Sequence, residues 1–134
     1  MTSSAGPVTK ELLEVTLSMG ELAQQAGVAP SAVRFYERHG LVAAYRTSGN
    51  QRRFLPGAVC RIRVARVAQR VGLRVREIAE VLDELPEDAG GEEWARVGQR
   101  LIEEGQERIR RLERAVTEIA TGSMLCAVDP RLDA

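Results

Sequence analysis

Five arginines and four aromatic side chains crowd into the stretch from Ser31 to Phe54. The arginines are Arg34, Arg38, Arg46, Arg52 and Arg53; Glu37 is the one acid among them, so the local net charge is +4. Phe35, Tyr36, Tyr45 and Phe54 lie in the same stretch, leaving only Trp94 elsewhere. Guanidinium groups at this density suit phosphate, because each one that meets a duplex backbone displaces a condensed counterion. The first half, SAVRFYERHGL, reads as a helix. The second, VAAYRTSGNQRRF, reads as two short extended pieces around the turn cluster Thr47-Ser48-Gly49-Asn50. A basic helix beside a basic hairpin is a surface shaped to grip a duplex.

Other chemistries find little support. The chain has one histidine, His39, and no nucleophile paired with a base, which argues against an enzyme. Its two cysteines, Cys60 and Cys126, make neither a disulfide framework nor a zinc-site spacing, so no metal is expected. The N-terminus lacks a signal-peptide core and no apolar run approaches about 18 residues, so a cytoplasmic chain without a membrane partner is expected. Net charge is zero over 134 residues, but the total hides an asymmetry. Residues 1–76 carry twelve Lys or Arg against four acids, and residues 77–134 carry seven Arg against fifteen acids. That split fits a nucleic-acid-binding half joined to something else.

The elements that position the basic patch are predicted to be helices. Ser18 and Glu21 form an S-x-x-E capping box, and Leu22, Ala23 and Ala26 give the helix an apolar face before Gly27 ends it. Pro30 suits the first turn of a second helix, with Val33, Tyr36 or Glu37, and Gly40 marking its period. Two short helices across a glycine turn make a helix-turn-helix pattern, although a plain helical hairpin has the same spacing. The hairpin after it is a wing. Pro56 opens a third helix carrying Val59, Ile62, Val64, Ala65 and Val67, which Gly72 closes. Arg63, Arg66 and Arg70 share one face of it, either as a phosphate track or as a solvated face; Cys60 is expected in the core. A fourth helix runs from about Val75 to Leu85, with Ile78, Val81, Leu82 and Leu85 on one side.

After the linker comes one long amphipathic helix, with Trp94, Val97, Leu101, Ile109, Leu112, Val116 and Ile119 as its apolar series. Its later part keeps the 3-4 alternation of a coiled coil. A helix of about 28 residues extends about 42 Å at ~1.5 Å per residue, too long to bury its stripe on so small a domain. A homodimer through Val97, Leu101, Ile109, Leu112, Val116 and Ile119 is therefore expected. The expected fold class is all-α with a small β-hairpin wing. The boundaries are a disordered tail at 1–16, a winged helix-turn-helix domain at 17–85, a linker at 86–91, the dimerisation helix at 92–121 and a short C-terminal tail at 122–134.

The order of these motifs resembles the MerR family of transcription regulators. R-F-Y-E-x-x-G-L, a wing ending N-Q-R-R-F, two further helices and a long terminal helix follow one another as in that family, over about residues 17–120. SAVRFYERHGL, RTSGNQRRF, AQRVGL, LPED and EEW look closest to its redox-responsive SoxR branch. The resemblance implies a homodimer with an antiparallel coiled coil, bound to a palindrome inside an overlong promoter spacer. It further implies activation by distorting that spacer for RNA polymerase, a form of indirect readout. By the same resemblance Ser31, Arg34 and Tyr36 contact DNA from the second helix, and Arg46, Asn50, Arg52 and Arg53 contact it from the wing. Phe35, without a hydroxyl, is expected in the core. One of Arg52 and Arg53 is expected to face DNA and the other to make structural contacts, since side chains alternate along a strand.

The sequence departs from that branch in one respect. The branch holds a [2Fe–2S] cluster with four cysteines, but an ungapped alignment puts Gly122, Leu125 and Ala127 at the first three positions, with Cys126 offset from all of them. A single thiolate cannot hold such a cluster, so no cofactor is expected. Trp94 is either a packing anchor or part of an effector pocket. Cys126, within the apolar run Met124–Val128, is a candidate sensor thiol for an unknown small-molecule effector. An effector-free architectural DNA-binding protein and a coiled-coil interaction adaptor are the alternatives. The intact arginine set argues against the adaptor.

Overall fold

Ser18 starts the first helix as a capping box does. Its Oγ accepts the Glu21 N–H at 3.1 Å, and the Glu21 carboxylate accepts the Ser18 N–H at 2.8 Å. The computed structural model describes residues 16–86 and 88–122. Over these residues the elements are α1 (Met19–Ala26), α2 (Pro30–Arg38), β1 (Tyr45–Arg46), β2 (Arg52–Arg53), α3 (Gly57–Arg70), α4 (Val75–Leu82) and α5 (Gly91–Ala120). The fold is mostly helical with a two-stranded antiparallel wing, as expected. Tyr45 pairs with Arg53 and Arg46 with Arg52 across it.

The same capping carboxylate recurs at two other helices. Glu77 accepts the Arg74 N–H at the start of α4 and Glu93 accepts the Gly90 N–H at the start of α5, each at 2.8 Å. Those backbone donors hold all three carboxyls below their ordinary pKa; at Glu77 the Arg108 guanidinium adds to the effect. A carboxyl depressed in the folded chain contributes stability that is complete above its unfolded pKa, about 4.3, and is lost as pH falls through the folded value. Thermal stability should therefore hold steady from pH 7 to about pH 5 and fall below about pH 4. The triple replacement Glu21→Gln, Glu77→Gln and Glu93→Gln should make that acid limb shallower in thermal unfolding followed by circular dichroism. A limb of unchanged steepness would assign the acid loss to other carboxyls.

The core is built where the helices meet. Leu22, Val33, Leu41, Phe54, Ile62, Ile78 and Leu82 are its largest fully buried side chains. α1 packs on α2 and α3, while α4 lies between α3 and α5. Gly27 turns the chain out of α1 at φ 73°, a left-handed conformation that glycine adopts without the Cβ penalty. Two sequence expectations shift at the boundaries. Thr16, assigned to the tail, is buried, and Leu17 exchanges backbone hydrogen bonds with Phe54 at 2.7 and 2.8 Å. The chain before α1 is thus stitched along β2. At the other end α4 stops at Leu82 rather than Leu85; Pro86 has no N–H to bond the Leu82 carbonyl four residues back. Leu85 stays buried all the same, and Arg61 donates to the carbonyls of Leu82 and Leu85 at 3.0 and 3.1 Å.

α5 divides its apolar stripe between two fates. Val97 is buried, Leu101 is half-buried against the core, and buried Gly105 brings the helix close to the end of α3. A Cβ on Gly105 would lie 3.4 Å from Val71 Cγ2, an ordinary contact, so position 105 has room for a methyl group beside the end of α3. Further along, Ile109, Leu112, Val116 and Ile119 are 47%, 61%, 63% and 72% exposed, a gradient that shows where the intrachain packing ends. Val97 and Leu101, expected in the dimer seam, pack on the chain's own core. Trp94 is half-buried on that core at the start of α5, as a packing anchor is. Cys126 and the run Met124–Val128 lie outside the described residues. Among the described residues no helix is long and apolar enough to cross a membrane.

Candidate nucleic-acid interface

α2 packs one face on the core and turns the other to solvent. Val33 and Tyr36 are buried, while Ser31, Arg34 and Arg38 are exposed. Arg34 has a single long contact, Nη1 to Met19 Sδ at 3.6 Å, which leaves its guanidinium to meet a ligand. Tyr36, placed at the DNA by the resemblance, turns inward. Its ring is 6% exposed and its hydroxyl donates to Gln69 Oε1 at 2.7 Å, tying α2 to α3. Burial pushes its phenol pKa up. Phe35, expected in the core, is the more exposed of the pair and sits edge-on to Tyr36 and beside His39. The reason is helical phase: Tyr36 follows Val33 by three residues and shares its face.

The wing is organised from within. Thr47 Oγ1 accepts the N–H groups of Gly49 and Gln51 at 3.2 and 3.1 Å, and the Thr47 carbonyl accepts the Asn50 N–H at 2.9 Å. Asn50 takes φ 62°, a left-handed conformation that asparagine tolerates in turns. Arg46 Nη1 donates to both the carbonyl and the side-chain oxygen of Asn50 at 3.2 Å, so an exposed cation and an exposed amide are held together at the tip. Arg52 and Arg53 then divide. Arg53 donates to Thr16 Oγ1 at 3.1 Å and to the Thr16 carbonyl at 2.8 Å, a structural clamp on the chain before α1. Arg52 approaches Glu37 of α2 at 3.6 Å, which joins the wing to the helix, and its covered Nε has no acceptor among the described residues.

The arginines of α3 serve a purpose that the sequence did not reveal. Arg63 Nη2 donates to the Gln25 carbonyl at 2.7 Å and Arg66 Nη1 to the Gly27 carbonyl at 3.2 Å. Both receive the orphan carbonyls at the end of α1, where a cation also meets the negative pole of the helix. Their i, i+3 spacing was legible, but the carbonyls they reach were not, because those lie almost forty residues earlier. Cys60, expected in the core, is exposed on α3. Among the described residues no group of His, Cys, Asp or Glu could hold a metal ion.

An exposed basic helix and a basic hairpin, braced together on a helix-turn-helix scaffold, define the class: a winged DNA-binding regulator. Family profiles agree, one described as "MerR HTH family regulatory protein" over residues 17–85 and one as "MerR, DNA binding" over residues 59–121. The chain belongs to the MerR family of helix-turn-helix transcription regulators. It is 39% identical to a HTH-type transcriptional activator SoxR homolog of Chromobacterium violaceum over 72% of its own length and 66% of that protein's. It is 32% identical to a mercuric resistance operon regulatory protein of Pseudomonas fluorescens, over 86% of this chain and 78% of that one. Among solved structures, a MerR family regulator from Listeria monocytogenes has the same fold at TM-score 0.52 and 23% identity, over 79% of this chain and 82% of that one. HiNmlR, a MerR family regulator lacking the sensor domain and bound to promoter DNA, matches at TM-score 0.50 and 19% identity, over 80% and 86% of the two chains.

Proposed function

We propose that the chain acts as a homodimer that binds a palindromic promoter element and controls transcription by distorting the duplex between its half-sites. The observation that carries this reading is the pairing of two surfaces on one chain. One is the basic face of Ser31, Arg34, Arg46, Asn50 and Arg52 on α2 and the wing. The other is the bare apolar seam of Ile109, Leu112, Val116 and Ile119 on α5. A head that reads one half-site and a helix with an uncovered seam make a two-fold reader when two copies join. The duplex between the half-sites then pays a deformation cost that depends on its sequence, which gives specificity without base contacts. RNA polymerase at the promoter is the partner that distortion would serve. That HiNmlR is a sensor-less regulator bound to promoter DNA supports the same use of this fold.

The test is nuclease footprinting on the promoter region upstream of the protein's own coding sequence, with sedimentation of the same sample. Two protected half-sites related by a dyad, with enhanced cleavage between them and a dimeric sedimenting species, are expected. One protected half-site bound by a monomer would overturn the reading. Adding oxidants and redox-cycling compounds to the same footprint shows whether an effector alters the central cleavage.

A further inference from the structure

The first half of α5 is fastened to the reading head at successive points along one stripe. Val97, Leu101, Gly105 and Arg108 follow one another at spacings of three or four residues and so share a face. Val97 is buried in the head's core, Leu101 packs on it, and Gly105 leaves 3.4 Å between a built Cβ and Val71 Cγ2. Arg108 Nη2 then reaches Glu77 Oε1 at 2.6 Å, and Arg100 pairs with Glu84 to one side. Glu77 is also the carboxylate that caps α4, so the ion pair fastens α5 to the start of a neighbouring helix. Beyond Arg108 every side chain up to Ala120 is exposed. The helix is therefore a lever: clamped from Val97 to Arg108, and free for its last turns.

We propose that Gly105, backed by the Arg108–Glu77 ion pair, sets the angle at which α5 leaves the head and thereby selects the separation of the two DNA half-sites. This rests on the dimeric reading above and adds the residue that determines its spacing. The lever makes small changes large. Val97 lies about 12 Å from Gly105 and about 34 Å from Ala120 at ~1.5 Å per residue. Lifting the helix by about 2 Å at position 105 tilts it by about 10°, and its tip then moves by about 6 Å, against a base-pair rise of ~3.4 Å. A second head carried on a partner helix would be displaced by a comparable step. Alanine at 105 reaches Val71 at an ordinary contact distance, whereas leucine would press on Val71 at the end of α3.

The experiment takes an inverted repeat selected by the wild-type chain from randomised duplexes and varies its centre-to-centre distance one base pair at a time. Gly105→Leu should shift the preferred distance by about one or two base pairs, or reduce a preference of about tenfold to less than about threefold. Affinity for an isolated half-site should stay within about twofold, because the reading face is untouched. Gly105→Ala should retain the wild-type distance. An unchanged optimum and unchanged selectivity in Gly105→Leu would overturn the inference while leaving the dimeric reading standing. A wild-type chain indifferent to the second half-site would overturn both. Should Gly105→Leu fail to fold, Arg108→Gln decides: a broadened distance preference supports the lever, and an unaltered one refutes it.

Discussion

Alanine at Arg34 or at Arg46 is expected to weaken binding of every duplex, cognate or not, by roughly tenfold each, about 1.4 kcal/mol. Both residues are exposed; among the described residues the hydrogen bonds of their side chains are one long contact from Arg34 to Met19 and those from Arg46 to the wing's own Asn50. A phosphate contact carries no sequence information, so the loss should be uniform, and the slope of log affinity against log salt should fall by about one for each arginine removed. Thermal stability should stay within about 0.5 kcal/mol, the usual range for surface substitutions. Arg53→Ala is the contrasting case. It removes two donors to Thr16, so it should lower the melting temperature and reduce DNA affinity mainly through the loosened wing. Fluorescence anisotropy titrations over a range of salt, set beside thermal melts, separate the two classes. If Arg34→Ala bound with full affinity at low salt, α2 would not be the reading helix.

Glutamate at Leu112 or Val116 is expected to convert the proposed dimer into a folded monomer. Each side chain is more than half exposed in the single chain, so little intrachain packing is lost. In a two-fold seam each substitution counts twice, and an apolar side chain of this size contributes about 1.5–3 kcal/mol when fully buried. One replacement thus withdraws about 3–6 kcal/mol, a hundredfold or more in the dimer constant. The palindrome should then be bound as two independent half-sites, with its affinity advantage gone. Val97→Glu should behave differently: Val97 is 3% exposed in the chain's own core, so a carboxylate there should unfold the head itself. Sedimentation and far-ultraviolet circular dichroism of the three variants distinguish a seam from a core. A Leu112→Glu, Val116→Glu double variant that still sediments as a dimer would rule out this seam.

Much of the reading head was legible because its signals are local. Ser18 and Glu21, Gly27, Pro30, the Thr47–Asn50 turn and Pro56 each state a backbone preference within a few residues, and each acts as read. That Arg52 and Arg53 reach different partners was also foreseeable, since neighbours on a strand point to opposite sides. The partner that claims Arg53 was not, because Thr16 stands 37 residues earlier. For Tyr36 the resemblance implied a DNA contact, while the helical phase shared with Val33 turns its ring inward and its hydroxyl meets Gln69.

The sequence by itself determined the family, the order of the elements and the charge of the reading face, because caps, turns, periodicity and charge are properties of short segments. Only the tertiary structure decided which basic side chains remain for a ligand. Arg61, Arg63 and Arg66 donate to carbonyls of other elements, around the ends of α1 and α4, while Arg34 meets Met19 and Arg46 meets the wing's own Asn50. It also decided where the long apolar stripe changes owner. Val97 to Gly105 were taken by the chain's own core and Ile109 to Ile119 were left bare, because α4 and the end of α3 support the helix only that far. Periodicity specifies that a stripe will be buried. What buries it depends on which surfaces the rest of the chain brings within reach.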